Sequence, residues 1–339
     1  MLNRKIRMLG SAFALLVLSS AGANAAPQAS GYHVLRRMQV GGDGGWDYLR
    51  VDPDAHRLYI SRGTHVMIVD ENSGKVIGDI ADTKGVHGIA VAPDLGRGFT
   101  SNGRADSVTI FDLKTLKNLG EVKTGKNPDC IIFDPSSKRV FTFNGRDGSA
   151  TAIDAAEGKV AGNIELGGKP EYAAVDGKGN VFVNLENKNT LVKIDAQKLK
   201  VLERWPLEPG EEPASLAMDT KNNRVFVGCH NKLLLVVNAE TGKVVAKQPI
   251  GDGVDATTFD PETKMVFSSC RDGTVTVIHD DGDDKYSVVE TIKTKKGSRT
   301  MALDRKTHKL FLPSADFKAD GGARPAMVPK TFAVLVFGK

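Results

Sequence analysis

The chain has 339 residues, 46 Lys and Arg against 41 Asp and Glu, a formal charge of +5 and three cysteines. The two signs are interspersed and no long Lys/Arg run occurs. This argues against nucleic acid as a partner, which needs a basic patch or stripe.

The first 25 residues read as a leader that is removed. Arg4, Lys5 and Arg7 form a basic stretch, Leu9 to Ala23 is mostly apolar, and Ala23-Asn24-Ala25 is a small-residue cleavage site, so Ala26 is the expected mature start. The apolar run is shorter than the about 20 residues a spanning helix needs, and serines interrupt it. No cysteine for a lipid anchor and no twin-arginine pair accompanies it. The expected location is the periplasm or beyond, with no membrane span. Loss of the three basic residues lowers the formal charge from +5 to +2.

Downstream, one phrase recurs. A short apolar run ends at Asp52, Ala92, Asp134, Asp176, Asp219, Asp260 and Asp304, positions 40 to 44 residues apart. Seven residues later (six in the fourth copy) stands an aromatic: Tyr59, Phe99, Phe141, Phe182, Phe226, Phe267 or Phe311. A third strand should close on Asp70, Asp112, Asp154, Asp195, Asn238 or His279, and a fourth should open with Val76, Leu119, Val160, Val201 or Val244. These windows alternate and are rich in Val, Ile, Thr and Phe, with Gly, Asn and Asp between them. That is strand patterning, not the i, i+3, i+4 spacing of a helical solenoid. The recurring Asp reads as a turn-former that bonds the local backbone.

Four strands per about 40–45 residues is the period of a propeller blade, and seven units lie within the about four to eight blades that close around a channel. The sequence therefore predicts an all-β fold, a single seven-bladed β-propeller domain over residues 26–339 with four-stranded antiparallel blades. The run from His33 to Val40 matches the fourth-strand pattern and should complete the last blade. The other strands of that blade are expected near 299–303, 309–312 and 331–337. Such closure removes the open edges of the sheet.

The unit resembles the YVTN-repeat family of bacterial β-propellers, the YncE-like proteins. The phrases that carry the resemblance include Phe259-Asp260-Pro261, Met265-Val266-Phe267, Val66-Met67-Ile68-Val69-Asp70 and Ser73-Gly74-Lys75-Val76. It covers roughly residues 33 to 339 and implies the propeller fold. Related seven-bladed folds include lactonase-like and streptogramin-lyase-like enzymes, but no catalytic motif of either maps onto this chain residue by residue.

In a propeller the innermost strand begins at one mouth of the channel. Five residues before each anchor stand Asp47, His87, Asp129, Glu171, Ala214, Asp255 and Arg299. Neighbouring strand positions are apolar, so polarity concentrates at the mouth. Two readings stand side by side. The ring solvates a water-filled channel and bonds backbone donors of adjacent blades. Alternatively, Asp47, Asp129, Glu171 and Asp255 hold a hard cation such as calcium or magnesium on the axis. His87, His230 and Arg299 would then serve acid–base chemistry beside carboxylates whose pKa values are driven apart.

The turns between second and third strands open on the same face. They offer Arg104, Arg146 and Arg271 as ligand contacts, with Tyr172 one position past the ring and Arg62 in the first such turn. The equivalent turn of the last unit runs from Pro313 to Lys330. It is long enough to be a binding loop, or else a disordered excursion, and would bring Phe317, Arg324 and Met327 near the mouth. Trp46 could stack on a ligand or plug the channel. Lys293 to Arg299, the densest basic cluster, reads as a solvated loop between units. His33, His56, His279 and His308 are expected to be solvated.

Cys130, Cys229 and Cys270 are odd in number and read chiefly as free, buried small residues. A Cys229–Cys270 bridge and a soft-metal site with His230 are the alternatives. No G-x-S-x-G, H-E-x-x-H, P-loop or haem-attachment motif occurs. The expected function is an exported, monomeric binding or scaffold module working through the mouth face, with a small molecule or a periplasmic or envelope protein as partner. The rival is a divalent-cation-dependent hydrolase or lyase acting on an ester-like molecule.

Overall fold

The computed structural model describes residues 30–318 and 326–339. The expected leader and Arg324 lie outside them. The described residues form seven four-stranded antiparallel sheets, in residues 49–80, 86–123, 128–165, 170–206, 213–249, 254–293, and 302–338 together with 33–39. In chain order these are blades 1 to 7. Among the described residues, no helix is long and apolar enough to cross a membrane.

The ring closes as the pattern requires. Strand β1 (His33–Gln39) is the outermost strand of blade 7 and pairs antiparallel with the last strand, Ala333–Gly338. The strands of blade 7 run 302–304, 309–314 and 333–338. The innermost is thus shorter than its sequence pattern suggests.

Local chemistry explains the punctuation. The repeated Asp accepts hydrogen bonds from backbone N–H groups two to four residues on, as Asp134 does from Ser136 and Ser137, and Asp176 from Lys178 and Asn180. The side chain satisfies donors that the strand end leaves free. The recurring aromatic is at most 1% exposed in every blade. It fills the seam between neighbouring sheets, where full burial of one such ring contributes about 1.5–3 kcal/mol.

A backbone device not foreseen from the sequence fixes the channel mouth. Most innermost strands are bulged just after their first residue. Side chains of the second strand then bond the displaced backbone. The Ser61 hydroxyl accepts from Asp47 N–H (3.0 Å), the Ser101 hydroxyl from Gly88 N–H (2.9 Å), and Asn184 Oδ1 from Tyr172 N–H (2.7 Å). Ser101 also donates to the Asp129 carbonyl, and Ser269 to that of Arg299.

Candidate functional site

Those bonds place the ring residues around one opening. His87 Nδ1 lies 2.7 Å from Asp47 Oδ2 and 3.7 Å from Asp129 Oδ1. Arg299 pairs with Asp255 and comes within 3.9 Å of Asp47 Oδ1. Lys169, which the sequence reading did not single out, lies 3.0 Å from Glu171 Oε2 and pairs with Glu186 as well. Each ring carboxylate therefore has a cationic neighbour.

Burial and these pairs set the protonation. Burial alone would lower the pKa of His87, but the bond to Asp47 and the charge of Asp129 outweigh it and raise the value to about 9. Burial raises Asp129 to about 7, against the opposing charge of His87 and with the help of Asp47. Burial also raises Glu171 and Asp255, with Lys169 and Arg299 respectively pulling them back. At neutral pH the mouth holds a protonated His87 beside an Asp129 that burial makes hard to ionise.

The channel does not run through. Tyr48 in blade 1 and Tyr172 in blade 4 bring their rings to 5.3 Å, and Tyr48 Oη donates to the Glu171 carbonyl at 3.1 Å. These blades face each other across a ring of seven, so the contact crosses the axis. The two tyrosines make a floor, and the ring above it is the wall of a cup. Tyr172 was read from the sequence as a ligand contact, while Tyr48 was passed over. Register shows that both face the channel, but only the folded diameter shows that two side chains of this length meet.

Of the four carboxylates considered for a cation, Asp47 and Asp129 offer oxygens that lie, with His87 Nδ1, within 4.8 Å of one another. Glu171 and Asp255 are engaged by Lys169 and Arg299 instead. A calcium-type site needs about six to eight oxygens. His87 and Arg299 stand beside these carboxylates.

The other candidates spread along the rim. Arg104, Arg146 and Arg271 are exposed on the turns of blades 2, 3 and 6, and the charge of Arg271 reaches Asp255. His230 sits 3.3 Å from Glu212 on the rim of blade 5, and among the described residues no ion pair joins it to the ring. Trp46 packs into the seam between blades 7 and 1, with ring centroids 5.2 Å from Phe332 and 5.8 Å from Phe317. It stands at the side of the mouth, and the plug is the tyrosine pair. Phe317 bridges Met327, so the two described arms of the 313–330 turn form a strap beside Trp46. Asp316 ties that strap to Lys295.

Cys130, Cys229 and Cys270 are free and buried, and burial raises Cys229 and Cys270 to about 12. Neither the bridge nor the soft-metal grouping with His230 forms among the described residues. His56, His279 and His308, expected to be merely solvated, lie 2.7–2.8 Å from Glu71, Asp281 and Asp260. Two surface clefts lie elsewhere, beside Gly167, Lys188 and Arg204 and beside Gly125, Asp147 and Asn163. Both are open and lack the convergent ionisable groups of the cup.

No protein-family model matches the chain, and no curated protein is similar to it in sequence. Among solved structures, "Structure of U3-55K" superposes with a TM-score of 0.72 at 12% sequence identity, over 92% of this chain and 99% of the other. That likeness is one of fold, and the fold is a seven-bladed β-propeller. Unrelated functions share such folds, so the likeness carries no role.

Proposed function

We propose that this chain is an exported binding module whose ligand site is the closed acidic cup, and that the ligand presents a small ammonium or guanidinium group. The tyrosine floor carries this reading. A cation entering the mouth meets aromatic rings below and carboxylates around it, an arrangement that suits cation–π recognition. Asp47, Asp129, Glu171, Asp255 and Glu186 outnumber His87, Lys169 and Arg299, so the cup stays net acidic. The rim arginines would then orient whatever anionic part the ligand carries.

Titration calorimetry on the mature protein tests this, with choline and agmatine as probes. At pH 8 at least one should bind saturably, Asp129→Asn should weaken it about tenfold, and Tyr172→Ala should abolish it. Affinity should rise as pH rises through about 7, because Asp129 gains its charge there. No saturable binding of either probe, or equal binding by Asp129→Asn, overturns the reading.

A second reading rests on the Asp47–His87–Asp129 cluster. A nitrogen and two carboxylates suit a borderline cation such as zinc or manganese better than calcium or magnesium. The metal must displace the His87 proton, so binding should tighten as pH rises towards about 9. Elemental analysis and melting before and after chelation decide it. One equivalent of metal with a lowered Tm moves the protein towards a metal-assisted hydrolase or lyase, and metal-free protein with unchanged melting removes that option.

We further propose that residues 1–25 are cleaved on export, that the protein is monomeric, and that it belongs with YVTN-repeat, YncE-like propellers. The leader pattern and the repeat phrases support this. N-terminal sequencing of protein recovered from the periplasm should begin at Ala26.

A further inference from the structure

Of the cup's cations His87, Lys169 and Arg299, the lysine differs from the others in what it joins. Arg299 of blade 7 reaches Asp255 of blade 6 and Asp47 of blade 1, and His87 of blade 2 reaches Asp47 and Asp129 of blades 1 and 3. These two tie neighbouring blades around the mouth. Among the described residues, Lys169 pairs only within blade 4. Its ammonium lies 3.0 Å from Glu171 Oε2 and also contacts Glu186.

The backbone sets Lys169 in this place. Its N–H donates to Asn187 Oδ1 at 2.7 Å, and its carbonyl accepts from Glu186 N–H at 2.9 Å. Lys169 stands two residues before the ring position of its blade. That place holds Gly45, Gly85, Asn127, Glu212, Gly253 and Gly297 in the other blades, so no second cation stands in this register. Tyr48 Oη donates to the Glu171 carbonyl, so the pair adjoins the aromatic floor. Burial would lower the pKa of Lys169, but the bonds to Glu186 and Glu171 outweigh it and keep the ammonium charged. Burial raises the pKa of Glu171, Lys169 opposes this and the charge of Glu186 adds to it. Without Lys169 the two carboxylates would repel each other with no cation between them.

We propose that Lys169, on the reading that the cup binds a cation, is a specificity-determining residue that fills a second ammonium position and so restricts the ligand to a single positive charge. By holding Lys169, Glu171 and Glu186 already act as a site for a primary ammonium. A ligand with one cation can settle over the tyrosines and leave that pair alone. A second ligand cation would meet the Lys169 charge in place of free carboxylates, and like charges brought together weaken binding. Specificity of this kind comes from repelling the wrong ligand. The Lys169 side chain is 43% exposed, so a ligand cation can reach the position once the lysine is gone.

Calorimetry at pH 8 and constant ionic strength tests this on the mature full chain, with choline and butylammonium as monocations and 1,4-diaminobutane as the dication. The parent should bind a monocation at least as tightly as diaminobutane. Lys169→Met should tighten diaminobutane by about tenfold and the monocations by far less. Adding Glu186→Gln to Lys169→Met should remove that gain. Because Lys169 joins no second blade, Lys169→Met should keep the parent's cooperative melting, and if it fails to fold, Lys169→Gln takes its place. Monocation binding without a selective gain for diaminobutane, or a parent that already prefers diaminobutane, overturns the role of Lys169 and leaves the cup reading standing. No saturable binding of any probe by parent or variant overturns both.

Discussion

His87 shows what one residue contributes to the behaviour of the site. Its folded pKa of about 9 exceeds the ordinary 6.5, so its ion pairs stabilise the fold fully below pH 6.5 and the benefit is lost as pH rises through about 9. Unfolding free energy should therefore fall between those values, and His87→Gln should flatten that decline. Asp129 pushes stability the same way with pH, through a cost that grows and not a benefit that is lost. Its folded value of about 7 lies above the ordinary 3.8, so it costs stability progressively as pH rises from about 3.8 to about 7, and that cost stays in full above. Asp129→Asn should raise Tm at pH 8, and the gain should shrink as pH falls towards about 4. A lower Tm at pH 8 would sink that account. The ring itself was legible in the sequence, because a fixed offset from a repeated Asp picks out the mouth of every blade. Its ion pairs were not, because register states which residues face the axis and not which cation each carboxylate meets. Lys169 stands two residues before Glu171, outside the offset that marks the ring.

Single elements illustrate a different limit. Arg62 reads in sequence as an ordinary turn arginine, yet it is fully buried, with its guanidinium 3.6 Å over the Phe332 ring. It donates to the Gly42 carbonyl at 3.0 Å and to that of Asp43 at 3.0 and 3.3 Å, and burial lowers its pKa to about 10. The loop of residues 41–45 is pinned from beneath by this side chain. A side chain added at Gly44 would meet the Arg62 carbonyl at 2.4 Å, in a backbone conformation with φ of 87°. Arg62→Ala should cost about 3 kcal/mol in urea unfolding, because it opens a cavity and strands two carbonyls. Exposed Arg104→Ala should stay within about 0.5 kcal/mol. Local sequence cannot separate these arginines, since the difference lies in Phe332, which arrives from the far end of the chain.

For the whole molecule, repeat spacing carried nearly everything: the number of blades, the strand order and the closing strand. Removing residues 30–39 should leave the last strand of blade 7 as a bare edge. Sheet content by circular dichroism should largely persist, while gel filtration should show association through the exposed edges. A monomer of undiminished Tm would contradict the role given to β1. The pairing of His33 with Gly338 and of Gln39 with Ala333 also imposes an order of events. Strand β1 is made before the other described strands, and it waits for its partner until residues 333–338 have been made. Contacts of such long sequence separation form late and slowly. A chain cut short by its final strand would not be a slightly smaller propeller. It would be an open arc with a loose strand at one end and a bare edge at the other, so the ring stays unsealed until residues 333–338 have been made.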